Sequence, residues 1–214
     1  MKKRASLTLD SLSYLALGDS YTIGESVSLS ERYPVQIKDL INADSSLQPM
    51  GEPLIIATTG WTTNELQEGI AKAEIEGNAY DYVSLLIGVN NQYRGYTIDQ
   101  YVKEFEELLQ NALAFAENDT GRAVVISIPD YGVTPYGRRG DQDKIATELN
   151  QYNQIAEEIA ARYGVDFLNI TEISREAETD SALIASDQLH PSGLQYKRWV
   201  DELIYPWFLE KIDP

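Results

Sequence analysis

A serine hydroxyl is a weak nucleophile until a neighbouring base takes its proton, and this chain offers one histidine, His190, to be that base. Asp187 stands three residues before it, so one loop can present both an imidazole and the carboxylate that orients it and stabilises its cationic form. Ser20, in the segment Gly18-Asp19-Ser20-Tyr21-Thr22, is the hydroxyl that fits this pair. Acyl transfer also needs donors aimed at a developing oxyanion. The Ser20 backbone N–H, the Gly60 backbone N–H and the Asn90 side-chain amide are the candidates, and glycine at 60 would let the backbone come close to a substrate. Each signal is modest alone, since a Gly-Asp-Ser turn can simply cap a helix and a lone histidine is more often structural. Their conjunction points to nucleophilic acyl chemistry.

The elements that must position these residues alternate. Tyr14–Leu17, Leu54–Ala57, Tyr82–Ile87, Ala123–Ile128 and Val165–Leu168 read as continuous apolar runs, which suits parallel strands covered on both faces. Between them, Tyr101, Phe105, Leu108, Leu109, Ala112 and Ala116 recur at helical spacing, as do Ile145, Leu149, Tyr152, Ala156, Ile159 and Tyr163. A last helix carries Tyr196, Trp199, Val200, Leu203 and Ile204, and Pro206 should end or kink it. Thr62 with Glu65, Thr97 with Gln100 and Ser192 with Gln195 have the spacing of capping boxes and mark helix starts. This alternation predicts a three-layer α/β sandwich on a five-stranded parallel sheet, as one domain over 1–214 with a core from about 12 to 210. In such sheets ligands bind outside the carboxyl ends of the strands. Ser20, Gly60 and Asn90 each follow a strand, and Asp187 and His190 sit in the loop before the last helix. The stretch from Pro129 to about Asp143 reads as a long irregular loop, a kind that is often functional.

Gly18-Asp19-Ser20 with Tyr21 and Gly24 resembles the first block of the SGNH (GDSL-type) hydrolases. Gly60 resembles the second, Gly88-Val89-Asn90 the third, and Asp187-x-x-His190-Pro191 the last, in the family's order across residues 14 to 196. The resemblance implies a flavodoxin-like α/β/α fold, with Ser20, Gly60, Asn90 and His190 in the four roles that name the family and Asp187 completing the triad. The chain departs from the pattern with Tyr21 where the family has leucine. It also has Asn91 where aspartate is common, at a position that supports the loop. Trp61, Tyr93 and Arg94 are expected to line or cover the cleft, although ordinary packing would also account for Trp61. Arg138 and Arg139 could form a basic rim or a solvated loop tip. Asp19 is expected to act through the turn, not as a reactant.

The chain has 34 acidic and 17 basic residues, a net charge of −17. That balance disfavours nucleic acids and anionic membrane surfaces, and no apolar run approaches the roughly 20 residues of a membrane span. No cysteine is present, which removes thiolate nucleophiles and zinc-thiolate sites, and the scattered carboxylates have no metal-ligand spacing. No cofactor is called for. Met1-Lys2-Lys3-Arg4 has the charge of a signal-peptide start without the apolar stretch to follow. The expected location is therefore cytoplasmic, or periplasmic or secreted for a trimmed chain. The expected activity is hydrolysis of small or short-acyl carboxylic esters, such as acetyl groups on a carbohydrate, and no oligomeric state is implied. Lysophospholipase or thioesterase action would use the same machinery. A flavodoxin-like FMN carrier, or an idle binding module on this fold, would leave Asp187 and His190 unexplained.

Overall fold

The apolar runs form strands, and the inner ones are covered on both faces. In the computed structural model, which describes residues 11–212, β1 (Tyr14–Gly18) and β3 (Tyr82–Leu86) are buried at every position. With β2 (Leu54–Ala57), β4 (Ala123–Ile126) and β5 (Asp166–Leu168) they make one all-parallel sheet in the order β2-β1-β3-β4-β5. This is the flavodoxin-like order of a doubly wound sheet. Each strand was legible in the sequence, to within two residues at its ends. The charged start Met1-Lys2-Lys3-Arg4 lies outside the described residues.

Among the described residues the α-helices are α1 (Ser20–Ile23), α2 (Tyr33–Ala43), α3 (Thr63–Lys72), α4 (Val89–Tyr93), α5 (Ile98–Phe115), α6 (Gln142–Tyr163), α7 (Thr171–Arg175), α8 (Gly193–Trp199) and α9 (Tyr205–Ile212). The step from β1 to β2 runs opposite to the steps from β2 to β3, β4 and β5. Right-handed crossovers therefore place α2 on one face and α3, α5 and α6 on the other. The contacts agree: α3 packs on α5 and α5 on α6, whereas α2 packs on α8. The point where strand order reverses lies between β1 and β3, which is where a ligand crevice belongs.

All three capping signals mark real helix starts. Reciprocal bonding holds only at Thr62 with Glu65. Thr97 and Ser192 cap by accepting from the N–H three residues on, while the Gln195 side chain reaches the Leu183 carbonyl instead. Pro206 does not end the last helix, which runs on through it to Ile212. It cannot donate to the preceding turn, and the chain ahead of it opens into a π-turn, Val200–Ile204, before α9 continues. The stretch 129–143 is less irregular than its composition suggests. It holds two 3-10 turns, Tyr131–Val133 and Gly137–Arg139, and α6 begins at its end. Buried Asp130 caps the first turn through Gly132 N–H at 2.8 Å and pairs with Arg175 at 3.0 Å. No helix of the described residues is long and apolar enough to cross a membrane.

Candidate active site

Ser20 opens α1 immediately after β1. The turn is tight because Asp19, at its N-cap, accepts the Tyr21 N–H at 3.0 Å, and because Gly18 has no side chain. A Cβ there would stand 2.4 Å from the Leu86 carbonyl and 2.1 Å from Thr22 Oγ1, so only glycine lets β1 end so close to β3. Asp19 is fully buried, and its Oδ2 has no hydrogen-bond partner. Burial pushes this carboxyl up to about 7, against the opposing Tyr21 N–H bond. The expectation that Asp19 serves the turn fits this geometry.

Asp187 and His190 share a loop that closes on itself through Ala185 N–H to His190 O, 2.8 Å. The turn between them uses Gln188 at φ +66°, a left-handed conformation uncommon outside glycine. His190 Nδ1 lies 2.5 Å from Asp187 Oδ2, and Asp187 Oδ1 accepts the backbone N–H groups of Leu189 and His190. Ser26 Oγ donates a further bond to Oδ2 at 2.8 Å. Partial burial would raise the Asp187 carboxyl. The imidazole bond, the two backbone N–H bonds and the Ser26 bond outweigh it and hold the group at about 2. The carboxylate is therefore ionised throughout the neutral range, as an orienter of imidazole must be.

Ser20 and His190, 170 residues apart in sequence, line one small cavity of about 110 Å³, together with Asn90, Tyr93, Tyr131 and Tyr136. Asn90 stands on α4, just past β3, and donates one amide N–H to the Trp61 carbonyl at 2.9 Å; a primary amide has a second N–H to offer. Gly60 sits in a turn closed by Trp61 N–H to Thr58 O, 3.2 Å, at φ +86°. Conformation, not crowding, calls for glycine there: the nearest atom to an added Cβ would be Arg94 Nη2 at 3.6 Å. Arg94 holds the Gly60 carbonyl through that nitrogen and ion-pairs with Glu65. Asn91 is buried and clasps Thr63 through both ends of its amide, which ties α4 to the start of α3. Tyr93 lines the cavity, whereas the Trp61 ring packs on Gly69 of α3 and is not among the lining residues. Among the described residues no group of three or more histidines or carboxylates gathers that could hold a metal ion.

Two contributors are not evident from the sequence. Ser26 reaches Asp187 across 161 positions, and neighbouring Glu25 takes a short hydrogen bond from Thr59 beside Gly60. The only local hint is Gly24, whose left-handed conformation ends α1 and turns this segment back over the site. Tyr136 is the other: its N–H donates to the Gln188 carbonyl at 3.1 Å, joining the 129–143 segment to the loop of Asp187 and His190.

A five-stranded parallel sheet with helices on both faces defines a three-layer α/β/α protein, with these side chains gathered at its switch point. The model of the GDSL-like lipase/acylhydrolase family matches residues 16–198, and the chain belongs to that family. It is a carboxylic ester hydrolase. No curated protein matches the chain. Among solved structures, a variant of Axe2, an acetyl xylan esterase from Geobacillus stearothermophilus, is similar at 19% identity and TM-score 0.70, covering 100% of this chain and 97% of that one. TesA is similar at 15% identity and TM-score 0.69, covering 93% and 99%. Axe2 has also been solved as catalytic mutants with alanine in place of a histidine, a serine or an aspartate.

Proposed function

We propose that the chain hydrolyses short-acyl esters, acetyl groups on a carbohydrate above all, through Ser20, His190 and Asp187. The observation that carries this reading is one small cavity lined by both Ser20 and His190, with His190 Nδ1 already bound to an ionised carboxylate. That bond leaves the other ring nitrogen, Nε2, to take the Ser20 proton as the hydroxyl oxygen attacks the ester carbonyl. The oxyanion is held by the Ser20 and Gly60 N–H groups and the second amide N–H of Asn90. His190 returns its proton to the departing alcohol, and water repeats the sequence on the acyl-enzyme. Tyr93 borders the bound ester, and Arg94 acts through the Gly60 carbonyl it holds.

A cavity of about 110 Å³ is small beside the roughly 300–1,000 Å³ of drug-sized sites, which favours acetyl over long acyl chains. The acetyl xylan esterase activity of Axe2 points the same way. So does its set of catalytic mutants, which alter the same three residue types. The test is Ser20→Ala, which should reduce turnover of 4-nitrophenyl acetate by about 10³-fold or more and abolish labelling by a fluorophosphonate probe. Labelling that persists in the mutant would refute the assignment of Ser20.

A further inference from the structure

The small catalytic cavity opens beside a larger groove of about 700 Å³ that shares three of its walls, Tyr93, Tyr131 and Tyr136. We propose that this groove is the subsite for the alcohol part of the substrate and takes a neutral oligosaccharide chain whose acetyl ester lies at Ser20. The inference rests on the esterase reading and deepens it.

Three observations carry it. The first is size. The groove lies within the range of small-molecule sites and is about six times the volume of the catalytic cavity, so the two chambers suit a bulky alcohol joined to a small acyl group. The second is lining. Tyr96 and Tyr152 continue the aromatic wall begun by the three shared tyrosines, and Gln92 and Gln151 stand among them. Rigid aromatic faces carrying hydroxyls, interspersed with amides, suit a ligand whose rings present both C–H faces and hydroxyls. The third is charge. Arg139 and Lys144 in the lining are balanced by Asp141 and Glu148, with Lys144 and Glu148 3.7 Å apart. A groove without net charge, on a protein of −17, has no excess of cations for a phosphate-bearing alcohol such as a lysophospholipid headgroup or a coenzyme thiol.

The junction is built as well as lined. The hydroxyls of Tyr93 and Tyr136 are hydrogen-bonded at 2.7 Å where the chambers meet, and the Arg139 guanidinium lies 5.7 Å from the centre of the Tyr136 ring. Both phenols are positioned to exchange that mutual bond for sugar hydroxyls beside the scissile ester.

The experiment compares kcat/KM for an acetylated xylo-oligosaccharide with that for 4-nitrophenyl acetate, in the native chain, Tyr96→Ala and Tyr96→Phe. Tyr96 lines the groove away from Ser20. The expected result is a ratio lowered about tenfold in Tyr96→Ala, the loss of one aromatic contact, and largely restored by phenylalanine. An unchanged ratio in Tyr96→Ala overturns the proposal. So does a native enzyme whose kcat/KM climbs with acyl length and drops for long acyl esters in Tyr96→Ala, since the groove would then hold the acyl chain. A second arm is independent of turnover: the unacetylated xylo-oligosaccharide is titrated calorimetrically into Ser20→Ala protein, with and without Tyr96→Ala. Binding weakened by the second substitution supports the subsite even if the esterase reading fails, and no binding to either protein rejects it.

Discussion

Around Ser20 the side chains divide into those proposed to react and those that hold them in place. Asp187 receives four hydrogen bonds, from Leu189 and His190 N–H, the His190 ring and Ser26, so its position is fixed from two distant parts of the chain. Asp19 is the opposite case, a buried carboxyl with one oxygen unpartnered. In the unfolded chain it ionises near 3.8, and in the fold only at about 7. Folding therefore favours the protonated form, and stability present below pH 4 is lost as pH rises through 7. Asparagine at 19 keeps an acceptor for the Tyr21 N–H and cannot ionise. Asp19→Asn should therefore leave the thermal midpoint little changed near pH 4, raise it increasingly between pH 4 and 7, and hold a constant advantage above that. At 1.36 kcal/mol per pH unit this amounts to about 4 kcal/mol at most. A midpoint difference that does not vary with pH would contradict this account. At this scale the sequence was most informative where the chemistry is local. Asp187 and His190 are three residues apart and Asp19 adjoins Ser20, so the contacts they make follow from their spacing. Ser26 and Tyr136 act through partners brought to them only by folding, and the one hint in sequence, Gly24 near Ser26, signals a turn and not a partner.

Strands were legible because burial on both faces leaves continuous apolar runs, and long helices because burial of one face imposes a 3.6-residue period over enough residues to be seen. The 129–143 segment was not, since it is held by side-chain bonds to other elements and has no period of its own. Asn153 on α6 is one such holder. Its amide accepts the Ile128 N–H at 2.8 Å and donates to the Ile128 carbonyl and to Thr171 at 3.0 Å each, fastening the end of β4 to α6 and α7. The Ile128 carbonyl retains the Thr171 hydroxyl if Asn153 is removed, but the buried Ile128 N–H is left unpaired. Asn153→Ala should therefore cost about 1–3 kcal/mol in urea unfolding. A loss within the scatter of an ordinary surface substitution would show that the segment has other anchors.

Across the whole molecule, acids outnumber bases two to one. Many of the basic side chains are already spent on acidic neighbours: Arg198 binds both Glu176 and Glu202, and Lys38 lies against Asp39 and Glu52. The unpaired remainder is negative and repels itself. Raising salt from about 10 mM to about 150 mM shortens the screening distance from about 30 to about 8 Å and should raise the thermal midpoint at neutral pH. A midpoint that falls with salt would mean that local ion pairs outweigh the net repulsion. The far end of the chain answers to a stricter constraint. After the π-turn, Phe208 meets Tyr14 of β1 and Tyr82 of β3, with ring centres 5.2 and 5.0 Å apart, while the Trp207 indole donates to Asp166 of β5 at 2.8 Å. The wide turn holds one residue more than an α-turn would, and each residue of an α-helix advances the side chains by about 100°. Five residues of a π-turn sweep about the angle that four sweep in an α-helix, so the extra residue is absorbed where it stands; deleting one residue between 200 and 204 would restore α-helical bonding and leave both aromatic rings on the sheet, whereas a deletion beyond the π-turn would swing them away.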